Sequence, residues 1–357
     1  MDKRKFSFAV LSIFFILLTI PSLIAFTSKN MYPVKLMAFH QLLFFALYFF
    51  QKIKIDFNGI PVLNKKQALI VLLIVTTLGI IPYLYVYGPY INLKNLFLQD
   101  VYQTRSIMGA LANPYIGYTY SPFTKIIVPL IIVFALELKN KLVLVIGILC
   151  LILFYLFGAH KTVYVGLIVL LVFYKLQYSQ TVNIILKLSV ILVVCCMVLA
   201  VFGYDYPWIL TFRRIHFLPS LLDISYLDFF KDNYLFWSES VLKDFFTYPY
   251  DVRHEHLIAD LYLNRPKTAA NNGLISDGYM NMGTWGVCIN IFIVSLYFMV
   301  LNSLKLPSKY FGLYLLVIFS FISSSLSIVL LTHGAIVLLL VSIFILNDKN
   351  SAFRSGA

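Results

Sequence analysis

The sequence predicts an all-α polytopic integral membrane protein, with about ten transmembrane helices and a large outer loop carrying interfacial helices. Three observations predict it. Of the 357 residues, 61% are hydrophobic and only 12% charged, against roughly a quarter charged in an average soluble domain. The apolar residues fall in long runs, and crossing a bilayer takes roughly 20 of them. Lys and Arg gather at alternate ends of those runs, which is the pattern of cytoplasmic loops. A soluble chain of this composition would expose large apolar patches.

The first run, 6–26, follows Lys3, Arg4 and Lys5. It resembles a signal peptide, but it lacks a small-residue cleavage site and is long enough to span, so it reads as an uncleaved helix. Spans 34–50, 67–87, 122–138, 141–157, 161–176 and 183–203 come next, then 284–304, 309–326 and 328–346. Pro21, Pro82 and Pro129 fall inside spans, where neighbouring helices can satisfy the freed carbonyls. With the N-terminus inside, the inner loops hold Lys52, Lys54, Lys65, Lys66, Lys139, Lys141, Lys175, Lys187, Lys305 and Lys309, and the tail holds Lys349 and Arg354. The short outer loops hold only Lys29, Lys35 and Lys161. Both termini are then cytoplasmic, and the long connections 88–121 and 204–283 face outward, where long loops escape the charge rule.

The chain thus divides into membrane helices 1–203 with an outer loop at 88–121, a large extracytoplasmic loop 204–283, and membrane helices with a cytoplasmic tail, 284–357. Within 88–121, residues 92–108 have apolar positions at helical spacing, with Asn92 as a cap. In the large loop, Tyr226, Phe229, Phe230, Tyr234, Phe236 and Trp237 read as amphipathic helices lying at the membrane surface.

Charge and polarity narrow the function. The net charge of +13 suits lipid headgroups or a phosphorylated substrate. The basic residues are spread along the chain as span anchors, so nucleic acid is not an expected partner. Cys150, Cys195, Cys196 and Cys288 sit in apolar runs and read as small hydrophobes. His40 is the ionisable residue read deep inside a span, and it reads as a packing histidine. Such sparse intramembrane charge argues against ion-coupled transport.

Polar chemistry collects on the outer face. Arg213, Arg214 and His216 come directly after the seventh span, at the depth of a lipid-borne diphosphate, and guanidinium forks grip phosphate oxygens in pairs. Anchoring to headgroups is the plainer reading of the same arginines. Arg253, His254, Glu255 and His256 form a second group, flanked by Asp251, Asp260, Arg265 and Lys267. The histidine spacing is not that of the helical zinc motif, so no metal is expected. A general base is the stronger reading, either a histidine or a nearby carboxylate, and a solvated loop face is the alternative. Arg105 in the other outer loop, with Gln103 and Asn113 nearby, and His160, Lys161, Thr332, His333 and Gly334 at span ends could line the same mouth. Asn272 and Asp277 lie in a glycine-rich stretch leading back to the membrane, with Asp277 a further base candidate. Tyr226, Tyr234, Trp237, Tyr248 and Tyr250 could stack on sugars or anchor at the interface.

The pattern Arg213-Arg214-x-x-Phe217-x-Pro219, then Tyr226-x-x-Phe229-Phe230, Trp237-x-x-Ser240, Asn272-Gly273, Gly278, Gly283 and Gly286 resembles the Wzy-type oligosaccharide repeat-unit polymerases. Gly158-Ala159-His160-Lys161-Thr162 is similar to a segment of that group, and the span layout matches. The resemblance covers most of the chain in layout and only short motifs in sequence. It implies a metal-independent, cofactor-free membrane glycosyltransferase at the outer face of the bacterial cytoplasmic membrane. A growing glycan on undecaprenyl diphosphate would move onto a new lipid-linked repeat unit, building a surface polysaccharide. Arg213 and Arg214 would meet the diphosphate, with Arg105 and Arg253 as helpers. His254, His256 or Asp277 would be the base, and His216 could serve either purpose. His160, Lys161 and Asn272 would bind substrate. A flippase and a chain-length regulator are the partners the resemblance implies, besides membrane lipid. An O-antigen-type ligase shares the layout and leaving group but uses another acceptor; a lipid-linked oligosaccharide flippase would show polar spans and short loops.

Overall fold

The computed structural model describes residues 5–28, 32–57, 59–266 and 268–348. Asp2, Lys3, Arg4, Lys29, Lys267, Lys349 and Arg354 of the charge pattern lie outside the described residues. The helices are α1 (Phe6–Ser28), α2 (Val34–Phe50), α3 (Lys65–Tyr87), α4 (Val101–Leu111), α5 (Pro114–Glu137), α6 (Lys141–Gly158), α7 (Thr162–Phe173), α8 (Tyr178–Val201), α9 (Leu218–Phe229), α10 (His254–Leu263), α11 (274–281), α12 (284–303), α13 (Phe311–Ser323), α14 (Leu326–Leu331) and α15 (Ala335–Leu346). No strand occurs among the described residues.

Six segments are long and apolar enough to cross a membrane: α1, α3 with the turn after it, α5, α6, α8, and Leu274–Ser303. The other apolar helices, α2, α7, α13 and α15, belong to a class of 10–17 residues. A helix rises 1.5 Å per residue, so the 12 residues of α7 reach roughly 18 Å across a hydrocarbon core of about 30 Å. The bilayer setting is plainest on α8, where Leu188, Val190, Ile191, Val194, Met197 and Val198 are all more than half exposed. An apolar helix left this bare in a folded chain needs lipid around it.

Two of the three span prolines have a visible accommodation. Pro21 and Pro129 have no N–H for the carbonyls of Leu17 and Lys125, four residues earlier. Both carbonyls lie in π-helical turns, Phe15–Thr19 and Phe123–Ile127. The wider turn absorbs the missing bond and the proline ring without ending the helix.

The chain forms two compact units. Unit 1 holds 1–55, 177–303 and 318–328; unit 2 holds 56–176, 304–317 and 329–357. In unit 1, α2 packs on α12, and Lys54 donates to the Asn302 carbonyl while Asn302 Nδ2 donates to Gln51 O at 2.6 Å. Phe14 meets Phe298 edge-on at 5.5 Å, and Phe298 meets Phe321. In unit 2, α5 packs on α6, with Ile132 of α5 seated against Gly147. An Asn64–Gln67 capping box starts α3, and Glu137 at the end of α5 forms ion pairs with Lys65 at 2.7 Å and Lys309 at 2.9 Å.

Three expectations about loops are corrected. Residues 92–108 are not one helix: a 3₁₀ turn, Leu93–Phe97, is followed by Leu98 and Asp100 in the left-handed region (φ 60° and 56°) before α4 begins. Asn92 does cap the first turn, accepting from Lys94 N–H at 3.0 Å. The aromatic residues of the large loop do not all lie on a membrane face. Tyr226 and Phe230 are fully buried in a small core with Leu222, Leu235, Ile258 and Met280, and Tyr248 and Tyr250 pack against it. The Tyr226 hydroxyl, donating to Ala270 O at 2.7 Å, ties α9 to the strap before α11. Segment 231–253 has no helix at all.

Leu274–Ser303 is not a straight rod. Met282 (φ −151°) and Gly283 (φ 59°, ψ −138°) interrupt it. Asn290 Nδ2 reaches Asp277 Oδ2 at 3.0 Å and Leu274 O at 3.1 Å, though in one helix residues 13 apart would be separated by roughly 20 Å. The chain therefore doubles back at 282–283, and α11 and α12 form a helical hairpin. A Cβ on Gly278 would sit 2.6 Å from Gly286 O, and one on Gly286 2.0 Å from Gly278 O. Backbone contact this close is open only to glycine. The 20 residues of α12 span roughly 30 Å by themselves.

Candidate functional site

The hairpin sets up the first polar site, in unit 1. Asp277 on α11 is 1% exposed. Its Oδ2 accepts from Asn290 Nδ2 at 3.0 Å and from Leu326 N–H at 3.1 Å. Its Oδ1 accepts from Asn281 Nδ2 at 3.4 Å and Asn272 Nδ2 at 3.5 Å. A buried carboxylate needs donors on its oxygens, and here every side of it is used. Asp277, expected as a base, is placed as a clasp joining α11, α12 and the start of α14. Asn272, expected to bind substrate, is one of its donors and is 3% exposed.

Beside the clasp lies a carboxylate–imidazole pair. His254 opens α10 and is 4% exposed. Its Nδ1 contacts Glu239 Oε2, while its Nε2 is buried with no partner among the described residues. Arg253 holds the carboxylates from the other side, with Nε on Glu239 Oε1 at 2.7 Å and Nη2 on Glu255 Oε1 at 2.9 Å. Burial works to raise the Glu239 carboxyl, but the hydrogen bonds and charges of His254 and Arg253 outweigh it and hold the group down at about 2. An ionised Glu239 holds a proton on Nδ1 whether the ring is charged or neutral; in the neutral ring the lone pair is the one on Nε2, which is the arrangement of an oriented general base. His256 does not share this site. Two residues along a helix is a rotation of about 200°, so His256 faces solvent and meets Thr268 O at 2.9 Å.

His254 and Glu239 line a pocket of about 110 Å³ together with Trp237, Asp277, Asn281 and Ser325. Glu239, His254 and Glu255 also bring possible ligand atoms within 4.8 Å of one another, a spread that a cation could bridge. Arg253 already supplies one positive charge that both carboxylates share.

Arg213 and Arg214 stand on a nine-residue π-helix, Ile209–Phe217, and are both exposed. Neither makes an ion pair or hydrogen bond among the described residues. Arg213 edges a cleft of about 360 Å³ walled by Ile24, Ala25, Phe217 and Leu221, an apolar trough with one guanidinium. His216 is 8% exposed, and burial pushes its ring below the ordinary histidine range; it packs inward.

Unit 2 contains a separate cationic group. Arg105 Nε donates to Ala159 O at 3.1 Å, and the His160 ring lies 5.4 Å from the Tyr120 ring. His160 lies at the surface, and partial removal from water, then the charges of Arg105 and Lys125, push it down to about 4. His333 is pushed to about 4 by burial and by Lys125. The charged neighbours that shift these imidazoles are cations, so the rings stay neutral and can donate N–H. Lys161 is exposed just before α7 and makes no ion pair among the described residues.

The structure thus brings together Arg253 and His254, and gathers Asp277 and Asn272 into their flank. It groups Arg105 with His160, keeps Arg213 and Arg214 on their own helix, and turns His256 away. Two residues escaped the sequence reading. Glu239 sits three positions after Phe236 in an irregular segment with no periodicity to mark it. Lys125 was hidden inside an apolar run read as a plain span, although a lysine there is itself a signal.

In comparisons with models of known protein families, with curated proteins and with solved structures, the chain matches none.

Proposed function

We propose that the chain is a membrane glycosyltransferase that polymerises lipid-diphosphate-linked oligosaccharide units at the outer face of a bacterial cytoplasmic membrane. The observation that carries this reading is the part-buried Glu239–His254 pair, with an unpaired Nε2, at a pocket it lines. A hydroxyl entering the pocket would lose its proton to Nε2 as its oxygen bonds to the anomeric carbon of the growing chain. The bond from that carbon to the lipid diphosphate breaks, and the electron pair leaves on the phosphate oxygen. Glu239 holds the imidazole and stabilises the imidazolium that forms.

Such a leaving group needs cationic donors fixed before the charge develops. A polymerase handles two lipid diphosphates, one on the donor and one on the acceptor, and each unit offers a cationic place: Arg213 with Arg214 in the first, Arg105 with Lys125 and two neutral imidazoles in the second. The apolar cleft under Arg213 suits a lipid phosphate with the first part of its chain.

The test is turnover by the purified protein with lipid-diphosphate-linked repeat units. Wild type gives a ladder of lengthening glycan. His254→Gln, with unchanged melting behaviour, loses about 10²-fold or more in rate, the usual worth of a general base. Arg213→Ala and Arg105→Ala each lower the rate as well. A single transfer to a different acceptor, with no ladder, would make the protein a ligase instead.

A further inference from the structure

We propose that Trp237 and the pocket beside it form a pyranose-binding subsite, with the indole as the platform on which the acceptor sugar ring stacks. The proposal rests on the glycosyltransferase reading for which sugar enters, but its geometry is independent of Arg213 and Arg214.

The backbone at this point is strained. Phe236 and Trp237 are consecutive and both lie in the left-handed region, at φ 50° and 53°. Bulky residues seldom adopt it, and glycine or asparagine would do so at little cost. The conformation is imposed by the hairpin. Leu235 N–H donates to Met280 O at 2.9 Å, Phe236 N–H to Asn281 O at 3.0 Å, and Trp237 N–H to Asn281 Oδ1 at 2.6 Å. The Asn281 side chain is itself locked, since its Nδ2 donates to Asp277 O at 2.8 Å. Strain of this kind, held by surrounding structure, collects at binding sites.

Burial of the indole does not explain the strain. Trp237 is only half-buried and lies outside the small core of the loop. Its neighbour Phe236 stacks on Phe246 at 5.3 Å, whereas the Trp237 ring makes no aromatic contact among the described residues, and its Nε1 no hydrogen bond. The backbone under the ring is held in place, and the ring lines the pocket with its N–H donor unpaired among the described residues.

The rest of the pocket supplies what a sugar needs next to such a face. A pyranose has an apolar C–H face and a rim of hydroxyls. Trp237 matches the first. Glu239, Ser240, Asn281, Ser325 and Ser327, all lining the same pocket, offer acceptors and donors for the second. About 110 Å³ is room for several waters, which the hydroxyl edge of one ring would displace. His254 lines the same pocket and its Nε2 is unpaired, so a ring stacked on Trp237 would bring a hydroxyl towards that nitrogen.

The chain has three tryptophans, Trp208, Trp237 and Trp285. Trp208→Phe with Trp285→Phe leaves Trp237 as the one indole reporter in the full-length protein. The probe is the repeat-unit oligosaccharide freed of its lipid, with inorganic diphosphate as control. We expect a saturable change in Trp237 fluorescence with the oligosaccharide and none with diphosphate. In the otherwise wild-type protein, calorimetric affinity for the oligosaccharide should fall at least tenfold in Trp237→Ala and only a few-fold in Trp237→Phe, which keeps a ring. In turnover, Trp237→Phe should raise KM for the acceptor unit while kcat is kept, the opposite of His254→Gln. Unchanged affinity in Trp237→Ala, or in Trp237→Phe a loss of kcat with KM unchanged, would overturn the subsite. If Trp237→Ala does not fold, the Phe variant and the fluorescence titration decide. A ladder from wild type without oligosaccharide binding at Trp237 rejects the subsite and keeps the polymerase; binding without a ladder does the reverse.

Discussion

His254 and His256 show how far residue identity carries and where it stops. Both were visible in the sequence as base candidates, and only their rotation on α10 separates them: one is buried against Glu239, the other exposed against a carbonyl. The partner that orients His254 was not legible. Glu239 lies 15 positions upstream in a segment without helix or strand, so no periodicity points from one residue to the other. The pairing has a pH signature. The folded-state pKa of Glu239 is depressed to about 2 from an ordinary 4.5, so its ionised form stabilises the fold. That contribution is complete above about 4.5 and is lost as pH falls from there towards 2. Thermal unfolding in detergent should therefore show the wild-type midpoint dropping more steeply through this window than that of Glu239→Gln. Equal slopes would mean that Glu239 is not held by His254 and Arg253 in solution.

The elements were legible wherever hydropathy alone specifies them. Six of the ten predicted runs fall on helices long and apolar enough to cross a membrane and the other four on apolar helices of 10–17 residues, because a lipid-facing helix needs little more than length and greasiness. What the sequence did not announce is how those helices bend. The π-turns before Pro21 and Pro129 depend on which carbonyl loses its donor, and the 282–283 reversal depends on backbone contact between two glycines. In the glycine-rich stretch that leads back to the membrane, Gly278 and Gly286 take a packing role. Gly278→Ala or Gly286→Ala places a methyl against a backbone carbonyl, with no rotamer that could move aside. Each should destabilise by about 1–3 kcal/mol, read as a lowered melting midpoint, and should loosen the Asp277 clasp. Gly109→Ala in α4 is the contrast, since nothing lies within 4 Å of its Cβ position. It should be neutral or stabilising by up to ~1 kcal/mol from helix propensity. If Gly278→Ala behaves like Gly109→Ala, α11 and α12 do not pack as a hairpin.

At the scale of the whole molecule, the function proposed depends on which side of the membrane the two long connections occupy. The charge pattern predicts them outside, because the lysines that flank the spans recur at the ends assigned to the cytoplasm, including Lys65 and Lys309, which close on Glu137. The pull on each juxtamembrane cation is about 1 kcal/mol, and the sum over so many positions is what the proposed orientation rests on. The chain's four cysteines are free, so they can be replaced without breaking a crosslink. In that background Asp244→Cys and Lys161→Cys, both at exposed positions, should react with a membrane-impermeant maleimide in spheroplasts. Lys139→Cys, equally exposed, should react only after the membrane is opened. The reverse pattern would put Glu239, His254 and Trp237 in the cytoplasm, where the activated donors are nucleotide sugars and lipid-linked units are assembled one sugar at a time. The pocket could still bind a sugar there, but a polymerase acting on units already carried across the membrane would be ruled out, and the carboxylate–imidazole pair would need a different donor.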